Sequence, residues 1–542
     1  MRRGCALSVV ALSIVAGAGG GCSTKWQARF AAPRHAAALE AHAPFIKAHL
    51  ADGSVYVLQR WRIASGHLFG EGILYDADRR VRREGSHDVA LARVVLLETN
   101  RPKEVSHVGL VVLGVVSGAS LAVTAACIAS PKSCFGSCPT FYAASAGGGE
   151  RLMAEGFSAS ITRRLEERDV DALVGARPRG RAFSLLMTNE ALETHALRRL
   201  QLIAVERAPG YERVLRIGRG SGGSARDERY LAARQLAAPT RCFAARGRSA
   251  RTRAPRRDCR ELVRAFDREE LVSLADARDL ARREHIDVTF AAPQAGDAGR
   301  RALVIVARNS LLNTFLFYQA MAYMGRRAGE WLTKLDRAPR AAVDLVSQLG
   351  RDIGPIVVSL HDGKGWRRVG SAFETGPLAP QTHVVALPTR LPPGPVRVRL
   401  ELTRGYWKID QLALAELGPT LVPRTLEVAR VTRRRGGRVD AAALARLRDP
   451  RRYLVTYPRD AYRLHFELPA RPEQQALFLA STGYYVEWMR ERWLPEQSEA
   501  KLTELLLHSG KALKKLAPRY KQLEPHIERI FWQSRLGREG TR

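Results

Sequence analysis

Glu193 and His195, in the stretch Asn189-Glu190-Ala-Leu-Glu193-Thr-His195, form the densest polar cluster of this chain with metal-ligating value. On a strand, residues two apart share a face, so this carboxylate and imidazole could hold a hard or borderline cation. Two ligands do not complete a metal site, and a solvated strand face explains the same pair. The other histidines are dispersed, and no H-E-x-x-H, Walker loop or paired zinc-ligand spacing occurs. Gly218-Arg-Gly-Ser-Gly-Gly223 fits G-x-G-x-x-G, between the apolar run Val214–Ile217 and a stretch, Ala225–Leu236, with a helical look. No acidic residue follows on a second strand at the required distance, so a flexible linker is the better reading. Gly156-Phe-Ser158-Ala-Ser160 misses the nucleophile elbow by its last glycine.

Aromatic residues offer a second kind of chemistry. Tyr484, Tyr485 and Trp488, with Trp493, Glu487 and Arg490 nearby, could stack a sugar or a peptidoglycan segment. At helical spacing the first three fall on one face, which fits core packing equally. Trp407 and Asp410 are candidates of the same kind at the end of a predicted strand pair. No residue is assigned a catalytic role, and no cofactor or metal is expected.

The cysteines separate by position. Cys5 and Cys22 belong to the N-terminal leader described below; Cys127, Cys134, Cys138, Cys242 and Cys259 remain. In an oxidising compartment short spacings predict the bridges Cys134–Cys138 and Cys242–Cys259, leaving Cys127 as a buried thiol. The second bridge would close an arginine-rich insert and contribute about 3 kcal/mol in the chain-entropy view. Cys134-Phe-Gly-Ser-Cys138-Pro-Thr-Phe-Tyr142, followed by a glycine turn and the apolar run Leu152–Phe157, resembles a segment of exported bacterial lipoprotein domains of unknown function. Its Cys-x-x-x-Cys-Pro core is also similar to the copper-binding motif of periplasmic copper chaperones, which implies two soft thiolates for Cu(I). That family adds a distal histidine on a thioredoxin-like scaffold, whereas this string leads into a hairpin.

Met1-Arg2-Arg3, an uncharged run from Gly4 to Gly21 and then Cys22-Ser23-Thr24 have the basic, apolar and small-residue parts of a secretory signal. Small residues ending at a cysteine resemble a bacterial lipoprotein signal, which implies acylation of Cys22 and a membrane partner through the lipid. The expected location is the cell envelope, on an outer-membrane or periplasm-facing surface. The net charge of +33 would suit nucleic acid or an anionic membrane. Arginine outnumbers lysine about six to one and is scattered along the whole chain, where nucleic-acid recognition calls for clustering on one face. With export added, no nucleic acid is expected as a partner; an anionic envelope component or an envelope protein is.

Positioning elements follow from periodicity. Ala31–Ala51 has a helical look, and Ser54–Thr99 alternates as three or four antiparallel strands. Val108–Ala129, uncharged for about 22 residues, is long enough to span a bilayer; we read it as a helix packed on the protein, because a span would return the later cysteines to a reducing compartment. Leu165–Ala172 is a short helix candidate and Phe183–Val205 is strand-like. Helix is predicted over Asp267–Arg283 and Leu311–Leu335, with strands at His285–Phe290, Ala302–Val306, Ile356–Leu360, Val384–Leu387, Val396–Leu402 and Trp407–Leu414. Val396–Asp410 is similar to the last hairpin of galactose-binding-like sandwich modules. From Pro495 the chain is helical and basic.

These readings give an α+β protein: a small antiparallel β-rich N-terminal domain with an apolar helix, a β-sandwich-like domain with inserted helices, and a helical C-terminal tail. The expected boundaries are a signal over 1–21, an anchor and tether over 22–53, and an α+β domain with the Cys134/Cys138 hairpin over 54–225. A basic linker over 226–265, a sandwich-like domain with a buried helix over 266–418 and a mixed to helical region over 419–542 complete it. An anchor plus β-rich modules without a reactive constellation points to a binding or scaffold component. The alternative is an envelope hydrolase acting on glycan or peptidoglycan, its acids drawn from scattered Asp and Glu.

Overall fold

The computed structural model describes residues 25–39, 43–77, 79–103, 138–144, 149–158, 160–176, 178, 180–218, 228–245, 256–293, 299–337, 353–373, 375–434 and 436–535. Among these residues the protein is rich in β-structure, with five antiparallel sheets and a helical C-terminal region. Cys22, Cys127, Cys134 and the run Val108–Ala129 lie outside them. No helix of the described residues is long and apolar enough to cross a membrane.

Sheet I holds the six strands between Lys25 and Lys103, including Val55–Ala64, His67–Tyr75, Val81–Ala90 and Val94–Lys103, which match the expected alternation. The chain then crosses between sheets in a way no local pattern announces. Thr140–Ala144, Glu150–Glu155 and Ala182–Thr188 join Arg430–Arg433 and Ala461–Glu467 in sheet II. Glu167–Ala172 and Glu193–Glu206 join Arg424–Glu427 and Gln475–Glu487 in sheet III. Sheets IV and V are made between those two passes, from strands lying between Arg213 and Leu421. Sheets II and III share one core, built from Phe141, Leu185, Leu197, Leu202, Leu464 and Leu479 among others. The inner faces of sheets IV and V share a larger core with the helices.

Period-two patterning explains most strands. In Arg283–Phe290, Ile286, Val288 and Phe290 point into the core and alternate with polar residues. Arg300–Asn309 departs from alternation because both its faces are covered. Leu303, Ile305 and Ala307 enter the core shared with sheet V, while Ala302, Val304 and Val306 enter a second one.

Several expected elements differ, each for a physical reason. Helix Leu311–Met324 is capped by Ser310 and stops at Gly325, whose φ of 54° suits glycine and where a Cβ would strike Gln497. A separate helix, Ala328–Arg337, then follows, so Leu311–Leu335 is two helices. Asp267–Arg283 is not helical: Asp410 accepts from the backbone N–H groups of Asp267 and Arg268, and Asp276 accepts from those of Arg278 and Asp279. Ala31–Ala51 has a 3₁₀ turn, Pro33–Ala38, and then the strand Ile46–Leu50. Leu165–Ala172 is mostly the strand Glu167–Ala172, paired with Gln475–Glu487. The expected helix over Ala225–Leu236 is the strand Arg229–Ala237, and the segment read as a linker also holds Arg241–Ala245 and Arg256–Asp258. Val396–Thr403 and Trp407–Leu421 are not a hairpin: the first lies in sheet V and the second in sheet IV, so the turn between them crosses from sheet to sheet.

Cys242 and Cys259 are bridged, as expected. Strands Arg241–Ala245 and Arg256–Asp258 pair antiparallel, Phe243 opposite Asp258, and Cys259, just past the second strand, donates its N–H to Cys242 O at 3.0 Å, which brings the two sulfurs together. Cys138, expected to bridge to Cys134, is instead a free buried thiol. Burial and the carboxylates of Glu155, Glu193 and Glu487 push its pKa well above the ordinary thiol value, so it stays protonated and packs as a small apolar group. The hairpin that follows it, Thr140–Ala144 with Glu150–Glu155, is present.

Candidate functional site

The edges of sheets III and IV meet at a cleft of about 900 Å³. Strand Glu167–Ala172 forms the edge of sheet III, and its alternation sets Asp169 and Asp171 on one side. Strand Gln381–Ala386 forms the facing edge of sheet IV and brings Gln381 and His383. Phe266, Phe373, Phe478, Thr382 and Gln411 line the cleft, with Asp169, Gln381 and His383 at its edge; in register Asp169 shares the face of Asp171 and Leu479, and His383 that of Ile305, the faces turned to the cores. Asp171 lies behind Gln381, whose amide donates to its Oδ1 at 2.6 Å.

A tight turn holds Asp169. Val170 N–H donates to its Oδ1 at 2.8 Å and Phe157 N–H to its Oδ2 at 3.3 Å. Phe157 has a φ of 39°, uncommon for a bulky residue, and its buried ring fills space that a Cβ on Gly483 would occupy. The near-miss nucleophile elbow Gly156–Ser160 therefore serves as the support of a carboxylate. Arg216 donates to Val170 O at 3.2 Å and lies close enough to Asp169 to favour its charge.

Burial pushes the pKa of both carboxyls above the ordinary aspartate value. For Asp171 the charge of Asp169 adds to burial, and the shift is large; for Asp169 the Arg216 guanidinium works against it. Two like charges this close resist ionising together, so the pair favours one proton, held on Asp171. Burial, and then Arg216, pushes His383 down to about 4, so its imidazole is neutral at pH 7. Asp171 Oδ2 and His383 Nε2 are buried without a hydrogen-bond partner among the described residues. Glu155, behind the same junction, accepts from Leu378 N–H at 2.8 Å, and burial pushes its carboxyl up to about 7. Behind the cleft, a carboxylic acid, a carboxylate, an amide and a neutral imidazole thus form a buried polar set that combines donors and acceptors.

The residues singled out in the sequence lie elsewhere. Trp407, 1% exposed, packs edge-on to His383 and Tyr406, so it backs the cleft without opening onto solvent. Asp410 is fully buried and anchors the Asp267–Arg268 turn. Tyr484 and Tyr485 belong to the strand Gln475–Glu487, not a helix, and therefore face opposite ways. Tyr485 enters the core of sheets II and III, whereas Tyr484 packs edge-on to Tyr453. Trp488 is buried between sheets I and III and stacks on His49.

Glu193 and His195 do share a face, with Oε1 and Nε2 2.8 Å apart, but both side chains are 1% exposed, so the solvated strand face is not what is found. Glu193 stands opposite Glu487 in register, and Arg490 pairs with Glu487. This is a sealed polar network; among the described residues no three His, Cys, Asp or Glu side chains group as metal ligands. Strand Arg213–Ile217 and its antiparallel partner Arg229–Ala237 flank the glycine string, which is not the strand–helix setting of a dinucleotide site.

Asp169 and Asp171 fall inside the expected helix Leu165–Ala172, a reading that gives them no part in a site. The alternation Asp-Val-Asp was the available signal for a strand, while Gln381, 210 positions away, gave none.

No protein-family model matches this chain, and no curated protein matches it. Among solved structures, the structure of infectious bursal disease virus Gx strain aligns over 72% of this chain and 86% of that one at 11% identity. Its TM-score of 0.09 is too low to carry any inference.

Proposed function

We propose that this chain is an exported, lipid-anchored envelope protein of α+β, sandwich-like build, serving as a binding component that holds a hydroxyl-rich ligand, a glycan segment, in the cleft between sheets III and IV. The observation that carries the reading is the cleft of about 900 Å³ at the joined sheet edges, whose lining sets the polar Glu167, Arg168, Glu228 and Gln411 beside aromatic rings. Phe266, Phe373 and Phe478 add apolar faces for the carbon side of a sugar ring.

The anchor rests on the sequence: small residues end at Cys22 behind a basic and apolar leader. Metabolic labelling with a fatty acid should mark the wild type and not Cys22→Ala. Equal labelling of both removes the anchor from the proposal.

One observation favours the hydrolase reading. Two carboxyls of raised pKa, Asp169 at the edge of the cleft and Asp171 behind it, are of the kind that glycoside hydrolysis needs, an acid for the leaving oxygen and a carboxylate for the water or the sugar carbon. Incubation with soluble peptidoglycan separates the two readings. Reducing ends that appear with wild type and vanish in both Asp169→Asn and Asp171→Asn identify a hydrolase; binding without release identifies a binder.

A further inference from the structure

A second cavity, of about 930 Å³, lies between the Pro33–Ala38 turn and the two loops that flank strand Ala461–Glu467 and helix Ala441–Arg448. Five arginines line it: Arg34, Arg433, Arg434, Arg438 and Arg459. Three of them come from the arginine-rich run 433–438, and the fold adds Arg34 and Arg459 from two distant stretches.

The acids of this cavity are already engaged. Glu190 is paired with Arg535 and also accepts from Tyr142 at 3.0 Å and Thr188 at 2.8 Å. Asp440 accepts from Arg433 Nε at 2.9 Å and caps a helix through Ala443 N–H at 2.9 Å. Asp460 accepts from Tyr457 N–H at 2.9 Å and lies 3.8 Å from Arg433. Arg434 and Arg438 have no ionic or hydrogen-bonded side-chain partner among the described residues. Their backbones are nonetheless fixed: Arg434 N–H donates to Ala461 O and Arg438 O accepts from Arg433 N–H. Arg459, opposite them, has its N–H held by Asn189 O at 2.8 Å.

We propose that this cavity binds a phosphate group, with Arg434 and Arg438 as its principal ligands. Uncommitted guanidinium forks on a fixed backbone match the tetrahedral oxygens of phosphate, and two of them lining one cavity favour a dianion over chloride. Its volume far exceeds one phosphate, so a phosphate carried on a larger headgroup or sugar fits as well. The source is set by place, and here the argument rests on the lipid anchor proposed above. Arg34 is twelve residues from Cys22, a stretch that extends at most about 40 Å. An acylated Cys22 would hold the cavity within reach of the lipid phosphates.

The test uses full-length Cys22→Ala, which carries no lipid whether or not the wild type is acylated, so failure of the anchor and failure of this site are distinguishable. Calorimetric titration with inorganic phosphate at physiological ionic strength should show saturable binding, weakened at least tenfold by Arg434→Gln/Arg438→Gln. Flotation with phosphatidylcholine vesicles, with and without phosphatidylglycerol, then identifies the source. Flotation only with phosphatidylglycerol, lost in the double variant, assigns a lipid headgroup; phosphate binding without flotation assigns a soluble phosphate. No phosphate binding, or binding and flotation unchanged in the double variant, overturns the proposal, since the overall charge would then be acting instead. Because the two arginines have no internal partners, the variant should melt with the parent, and Arg367→Gln/Arg368→Gln on the distant strand Trp366–Ala372 should bind as the parent does.

Discussion

Arg490→Ala is expected to destabilise the protein by about 3–5 kcal/mol, seen as a lower urea midpoint with an unchanged slope. Its side chain is 4% exposed and paired with Glu487, and its Nη1 also donates to Leu192 O at 3.0 Å and to Trp488 O. Glu487 faces Glu193, which contacts His195, so removing the guanidinium strips a buried carboxyl pair of its cation. Burial pushes Glu487 up to about 8 from its ordinary 4.5, against the opposing pull of Arg490. The folded state therefore binds more protons than the unfolded state between those two values. Stability should fall as pH rises through that window, by up to about 1.4 kcal/mol per pH unit for one proton, and level off above it. Glu487→Gln, which is permanently neutral, should flatten this slope; an unchanged slope would show that Glu487 is not the titrating group.

Trp488→Ala is expected to cost about 3–5 kcal/mol and to loosen sheet I selectively. The indole is buried with Phe30, Leu96 and Leu192, stacks on His49 with ring centroids 5.3 Å apart, and donates to Thr194 Oγ1 at 2.9 Å. The neighbouring residues 489 and 491 carry two further ties: Arg79 donates to Met489 O at 2.8 Å, and Lys47 pairs with Glu491 at 3.0 Å. Hydrogen exchange should speed up across sheet I while sheets IV and V keep their protection. Uniform acceleration, or a loss below about 1 kcal/mol, would contradict this account of the docking.

What the sequence made legible follows from the range of each interaction. Val396–Thr403 and Arg283–Phe290 were readable because burying one face imposes a period of two on adjacent residues. Strand Gln475–Glu487 was misread because Tyr484, Tyr485 and Trp488 also satisfy helical spacing, and local pattern alone does not decide between the two. Gly325 was a visible stop inside an apolar run, and its positive φ is what divides the helix. The Cys242–Cys259 bridge was readable because one hairpin joins its ends; Cys138 packs against a core assembled from distant strands. The cleft was the least legible feature. Its pairing of Asp171 with Gln381 depends on two sheet edges meeting, and neither residue carries a local sign of the other.

The central claim, that the edges of sheets III and IV hold a glycan, is tested most directly by calorimetric titration of soluble peptidoglycan glycan fragments into wild type, Gln381→Ala and Gln411→Ala. Gln411 lines the cleft from the strand beside Val306, and Gln381→Ala removes the amide that spans the junction. The account predicts saturable binding by wild type and at least tenfold weaker binding by each variant. Absence of binding to wild type, or equal binding by all three proteins, would contradict it.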